Sequence, residues 1–508
     1  MMAGSNRQDG AQPEGAAFPA EPAGNSAAAQ AVLTAPVQAA HGQSIPAASE
    51  AGAPAAAPAS AQSGASQPKR NSTAFDLLTS LLTKVVLLCG SFLLSVVMAR
   101  LLGPEGKGIL TAVLVLPTLV VTLGDLGVRQ ASAYFIGSKR YTPQQVTNSL
   151  GVLWLITSTL TVVMVAAISW FQTSSTSQWM LYLLAAATVP LNLLFKYSNG
   201  IMQGREMISK INIGNLLGLA GNAIGIILFM WLIKLGVIGG LITQMLMAGL
   251  MAWYAVKIVG RVAPIRFEVD KAVMSDIFRK GISYAAALFI LQLNYRINFF
   301  FLEPAVSAEQ LGYFSVGINM AELIWQVPAA LSLVLFSRSA NSKTSGEAVN
   351  RAVRLLRITL CLLFVFCLGL ALLARPFITL IYGADFTEAY SVLQLLLPGV
   401  FFMTIVKILH PDLAGRGYPL YAFWIYILPL IINIVLNIKL IPAYGINGSA
   451  AASSISYAVG AIIFAVAYAR KEKHSVRALL LLTKEDMRLI TASLQSLAGK
   501  IIRKGASR

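Results

Sequence analysis

Twelve apolar stretches, each near the roughly 20 residues that carry a helix across a hydrocarbon core, dominate this sequence and leave it few ways to fold. They read as 73–99, 108–135, 146–171, 179–203, 211–233, 236–256, 281–302, 311–336, 358–374, 389–410, 419–438 and 446–469. Of the 508 residues, 56% are hydrophobic and only 12% charged, against roughly 25% charged in a soluble domain. Such a chain cannot cover a water-facing surface. The expected fold is an all-α polytopic membrane protein. A soluble enzyme, a disulfide-stapled secreted domain and a disordered scaffold are excluded for its bulk.

The scarce residues narrow the chemistry. His41 lies in the N-terminal tail, His410 beside Pro411 and His474 beyond the last apolar run, with no Cys/His spacing of a zinc site. Cys89, Cys361 and Cys367 all sit inside apolar segments and read as small core hydrophobes. No Walker-type loop is present. Neither a metal, a cofactor nor covalent catalysis is expected.

The formal net charge of +18 points to topology, not to nucleic acid. With both termini in the cytoplasm, the inside loops hold sixteen Lys and Arg. These are Lys139, Arg140, Arg205 and Lys210, six from Lys257 to Lys280, then Arg338, Lys343, Arg351, Arg354, Arg357 and Arg416. The outside loops hold five: Arg100, Lys107, Lys234, Arg375 and Lys439. The positive-inside rule therefore predicts two cytoplasmic termini. Residues 1–72 are Ala/Pro-rich, lack the apolar material for a core and carry no signal peptide, so a disordered cytoplasmic tail is expected. The rest divides into an N-lobe at 73–256, a basic cytoplasmic inter-lobe loop at 257–280, a C-lobe at 281–469 and a basic cytoplasmic tail at 470–508. In that tail Ile490, Leu494, Leu497 and Ile501 recur at helical spacing, the pattern of an interfacial helix on membrane lipids.

The two halves echo each other. Glu105-Gly106-Lys107-Gly108 leads into the second span, and Glu309-Gln310-Leu311-Gly312 leads into the eighth. Gly204-Arg205, Asn222 and the exit at Gly236 are matched in order by Gly415-Arg416, Asn433 and Gly445. Two six-helix lobes in one orientation imply a pseudo-twofold along the membrane normal with a cavity between them.

The stretch from Ala99 through Leu101-Leu102-Gly103-Pro104-Glu105-Gly106-Lys107-Gly108 resembles the signature between the first two spans of polysaccharide flippases. Its continuation Gly124-Asp125-Leu126-Gly127-Val128-Arg129 is also similar, as are Asn294-Tyr295-Arg296-Ile297-Asn298 and the loop from Arg375-Pro376-Phe377 to Tyr382-Gly383. Over residues 73–469 the chain looks like the Wzx-like oligosaccharide branch of the MOP superfamily, which also holds the MATE drug exporters. One departure is an amide at Asn298, near which that pattern leads one to expect an acid. The resemblance implies lobes that open alternately to each side of a bacterial inner membrane. It also implies a polyprenyl-diphosphate-linked oligosaccharide as cargo; a polysaccharide polymerase or glycosyltransferases would be recruited by the long tails if the chain served instead as an assembly subunit.

The residues themselves make a separate case. An ionisable side chain deep in a span costs about 2.5–3.5 kcal/mol on insertion scales. Five cations sit there, Lys84, Arg129, Lys196, Arg296 and Lys407, with three acids, Asp76, Asp125 and Glu322. The cationic surplus suits a phosphate-bearing or acidic-sugar cargo. The acids would pair with the cations or couple transport to an H+ or Na+ gradient. Plainer roles compete: Asp125 and Arg129 at i, i+4 neutralising each other, Lys407 snorkelling to headgroups, and Arg296 paired with Glu322. Asn192, Asn222, Asn319, Asn433 and Asn437 would line a sugar path or glue helices together. A MATE-type cation exporter and a non-transporting subunit of a polysaccharide assembly complex are the competing functions.

Overall fold

The computed structural model describes residues 73–488 apart from 173–175, 265, 267, 269, 341–343, 417 and 419. Both expected tails, 1–72 and the apolar stripe at Ile490–Ile501, lie outside the described residues. Every regular element among the described residues is helical.

Eight helices are long and apolar enough to cross a membrane, and two of these are double length. Thr73–Gly124 carries the first two spans and turns at Gly103 (φ 67°, ψ 178°). Tyr421–Lys471 carries the last two and turns at Gly445 (φ 54°, ψ −132°). Both turns require positive φ, where a Cβ would clash with the following carbonyl. The seventh span is Lys271–Leu302, and the eighth is broken into Ala308–Ile324 and Gln326–Ala340. They complete the twelve. The other spans are Pro143–Gln172; Thr176–Ala186 with Thr188–Gly204; Ile208–Gly225, running on through the π-helical Ile226–Leu232; Gly236–Val262; Ser345–Tyr382; and Ala389–Gly415.

The spans form two lobes with a shared boundary. Spans seven to twelve enclose one large core that also takes in Val96 and Ala99 from the first span. Spans two, three, four and six enclose a second core, and Val273 and Ile277 of the seventh helix are buried in it. A smaller cluster around Met98, Leu110, Tyr182 and Leu241 completes the N-lobe. Each lobe thus holds a piece of its partner.

That arrangement differs from the inter-lobe loop expected at 257–280. Helix six continues to Val262, and helix seven already starts at Lys271 with Asp270 as N-cap, its side chain accepting from the Ala272 and Val273 amides. Val273 and Ile277 share one helical face, which Lys280 continues toward the Tyr134 ring, while Lys271 and Arg279 keep to others. The charges hide an amphipathic first turn that contributes about 1.5–3 kcal/mol per buried Val or Ile side chain.

On the face carrying the chain ends, Asp412 is fully buried and accepts from Arg416, Tyr468 and Ser339. Arg416 in turn reaches Glu472 at 2.8 Å. Beyond the last span, Thr483 and Asp486 cap a short turn whose carboxylate pairs with Arg357 at 2.9 Å, fastening residues 483–488 to the ninth helix. We refer to this side as the basic face and to the other as the far face.

Candidate functional site

The seventh and eighth helices place a cation and an acid against each other inside the C-lobe. Arg296 Nη2 stands 3.3 Å from Glu322 Oε2, and both side chains remain 29% exposed. The expected pairing is therefore present, but it is not sealed. Beside it, Tyr295, Trp325 and Tyr457 form a triangle with ring centroids 5.2, 5.9 and 5.6 Å apart. Lys407 Nζ sits over two of these rings, 4.8 Å from Trp325 and 5.2 Å from Tyr295. Instead of snorkelling to headgroups, Lys407 is drawn inward by aromatic faces that attract a cation. The triangle was not legible in the sequence, because its three members come from three separate helices.

Behind that cluster runs a sealed polar ladder. Asn437 Nδ2 donates to Asn298 Oδ1 at 2.9 Å and Asn433 Nδ2 to Asn294 Oδ1 at 3.1 Å. Asn298 Nδ2 donates to Ser453 Oγ at 2.7 Å, and Ser449 Oγ donates to Asn437 Oδ1 at 2.6 Å. All six are buried. Of the two roles expected for Asn433 and Asn437, they take the second: with Asn294 and Asn298 they bind spans seven, eleven and twelve to one another, as polar residues do between membrane helices.

In the N-lobe the expected i, i+4 pair does not form. The chain breaks between Asp125 and Arg129, where Leu126 and Gly127 take φ of 46° and 64°. That turn separates their side chains, and Asp125 meets Lys196 of the fourth span instead, at 3.9 Å. Arg129 is left with no hydrogen bond or ion pair among the described residues. Its backbone packs so closely on the fourth span that a Cβ on Gly200 would lie 2.7 Å from the Arg129 carbonyl oxygen. In the same lobe, one Asp125 oxygen, both polar atoms of Gln130, the Ser158 hydroxyl and the Asn199 carbonyl oxygen are buried without a hydrogen-bond partner among the described residues. Tyr197 is satisfied, bonding Thr157 Oγ1 at 3.0 Å and the Gly124 carbonyl at 3.1 Å.

Lys84 is exposed on the first span and likewise forms no hydrogen bond or ion pair among the described residues, whereas the side chain of Asp76 lies outside them. An apolar cavity of about 210 Å³ between spans three, four and six is lined by Leu150, Trp154, Leu194 and Ile201. It opens on the side of span four away from Lys196 and offers a sugar nothing to bond. No group of three metal-ligating side chains occurs among the described residues.

Comparison with known proteins fits this architecture. The family described as "Polysaccharide biosynthesis protein" matches residues 77–340, just over half of the chain. An uncharacterized membrane protein of Methanocaldococcus jannaschii is 22% identical over 407 residues, covering 76% of this chain and 95% of its own. The lipid II flippase MurJ in an inward closed conformation superposes with a TM-score of 0.66 at 16% identity, covering 79% of this chain and 89% of its own. An inward-facing multidrug resistance MATE family transporter of the MOP superfamily gives 0.62 at 16% identity, covering 79% and 98%. The twelve-span, two-lobe fold is thus that of MOP-type transporters and flippases, and the chain belongs to the polysaccharide biosynthesis protein family.

Proposed function

We propose that this protein flips a polyprenyl-diphosphate-linked oligosaccharide from the cytoplasmic to the periplasmic leaflet of a bacterial inner membrane, supplying surface polysaccharide synthesis. The observation that carries the reading is Arg129, a guanidinium at the basic-face end of the second span with neither an ion pair nor a hydrogen bond among the described residues. Such a charge is tolerated where it faces water, an acid or a bound anion, and a diphosphate is the anion this cargo brings. Arg296, Lys196, Lys84 and Lys407 would extend the cationic path. The aromatic triangle with Arg296 and Glu322 would meet the sugar. No bond is made or broken, and the polyprenyl tail stays in lipid. The excess of Lys and Arg in the loops on the basic face supports reading that face as cytoplasmic. A MATE-like cation exporter would need free carboxylates, yet Asp125 and Glu322 are both occupied by cations.

The test measures surface polysaccharide and membrane protein level together. Arg129→Ala should abolish polymer at normal protein level, and Arg129→Lys should recover part of it, since charge returns without the two-pronged geometry. For Arg296→Ala, rescue of polymer by adding Glu322→Ala would reduce that pair to a structural role. Full polymer in both Arg129→Ala and Arg296→Ala would contradict the reading.

A further inference from the structure

We infer that four glycines form the two gates of the transport cycle, Gly108 with Gly312 at the far face and Gly127 with Gly281 at the basic face. Both gates are closed in this structure. At the far face, a Cβ on Gly108 would lie 1.7 Å from the Ala308 carbonyl oxygen, and one on Gly312 would lie 2.0 Å from that of Pro104. At the basic face, a Cβ on Gly127 would lie 2.1 Å from the Gly281 carbonyl oxygen, and one on Gly281 would lie 2.4 Å from that of Leu126. In each case backbone of one lobe lies directly on backbone of the other, an approach only glycine permits. Both crossings use the second span. Nineteen residues, or about 28 Å of helix, separate Gly108 from Gly127, close to the thickness of a hydrocarbon core.

Each crossing is held by contacts that also run between the lobes. At the far face Thr111 Oγ1 lies 3.0 Å from Ser315 Oγ, Tyr182 donates to the Glu303 carboxylate, and Val96 and Ala99 are inserted in the C-lobe core. At the basic face Asp276 accepts from Arg140 at 2.6 Å and from Tyr141 at 2.7 Å. There Lys280 Nζ lies 4.5 Å from the Tyr134 ring, and Val273 and Ile277 are inserted in the N-lobe core. Arg296 falls between the two levels, fifteen residues, about 22 Å, along the seventh helix from Gly281, and Arg129 stands two residues from Gly127 at the basic-face crossing itself. A cargo can then leave to one side only when one crossing parts while the other holds. Gly108 and Gly312 occupy equivalent places in the sequence repeat and meet at the pseudo-twofold. The basic-face crossing joins span two to span seven, which are not equivalent, so the two gates can open independently.

This inference rests on the flippase reading for its cargo, but its test does not need the cargo. Cys89, Cys361 and Cys367 are first replaced, and single reporters are placed at Ser315→Cys for the far gate and Ile277→Cys for the basic gate, both buried here. Vesicles of both orientations are treated with a membrane-impermeant thiol reagent. Gly312→Leu should speed labelling of the far reporter roughly tenfold and leave the basic one protected, while Gly281→Leu should do the reverse. Gly312→Ala and Gly281→Ala should show the same pattern at smaller amplitude, and they decide the matter if the leucine variants do not accumulate. The inference is overturned if a wedge leaves its own reporter protected in protein of normal abundance, or if either wedge exposes both reporters alike. A correct gating pattern without any effect of Arg129→Ala on polymer would instead count against the cargo alone.

Discussion

The two lobes treat membrane-buried polarity in opposite ways. In the C-lobe, four asparagines and their serine partners close on one another, and only Asn294 Nδ2 within that ladder lacks a bond. In the N-lobe, side-chain atoms of Gln130, Ser158, Asn199 and one oxygen of Asp125 are buried without partners among the described residues, and Arg129 forms no ion pair there. Since an unmade hydrogen bond in an apolar setting costs more than a made one returns, such a cluster persists only where something else completes it. The C-lobe ladder is mortar between helices. On the proposed reading, the N-lobe groups are the ones a polar cargo would complete.

Substitutions can break that comparison. The largest expected effect is Arg129→Ala, which removes charge-assisted contacts to phosphate of about 1.5–3 kcal/mol each. Binding of a polyprenyl diphosphate to purified protein should weaken roughly 10- to 100-fold, with the detergent melting temperature unchanged. Asn437→Leu should do the converse. It strips Asn298 Oδ1 and Ser449 Oγ of their partner, should destabilise by about 1–2 kcal/mol, and should lower the melting temperature while surviving protein binds normally. Gln130→Leu sharpens the contrast further: removing an orphaned amide should leave stability equal or raised while transport in cells declines. Unchanged transport would make Gln130 a passive member of the cluster.

The smallest effect concerns the tail segment outside the lobes. Burial works to raise the Asp486 carboxyl, but donors from Thr483 and the charges of Arg357 and Arg354 outweigh it and hold it below its ordinary value. A depressed carboxyl contributes stability above its unfolded pKa, about 3.9, and that contribution is lost as pH falls through the lower folded value. Proteolysis after residue 480 should therefore stay slow at neutral pH and accelerate only under strong acid. Asp486→Asn should show the faster cleavage already at neutral pH.

Much of this architecture was legible from the residues. The spans follow from apolar runs, and Gly108 and Gly312 stand out as matched members of a repeat, although the repeat alone does not show their close approach. The partners of the charged groups were less so. Asp125 and Arg129 are spaced for pairing on a continuous helix, but Leu126 and Gly127 interrupt that helix, and Lys196 arrives from seventy residues away. Lys407 looked free to snorkel because nothing near it in sequence announces Trp325 or Tyr295. The amphipathic start of the seventh helix was hidden because its charges outnumber its two buried residues, Val273 and Ile277. Local periodicity shows what lies on one helix, and long-range pairing decides what each charge is for.

The central claim is that this protein moves a diphosphate-linked oligosaccharide across a bilayer. Purified protein reconstituted into vesicles with a fluorescent polyprenyl-diphosphate oligosaccharide tests it most directly, with a membrane-impermeant quencher or glycosidase reporting the outer leaflet. The account predicts movement between leaflets well above that of protein-free vesicles and its loss in Arg129→Ala, while Asn437→Leu that survives purification still transports. Movement no faster than in protein-free vesicles, or equal movement by wild type and Arg129→Ala, would contradict it.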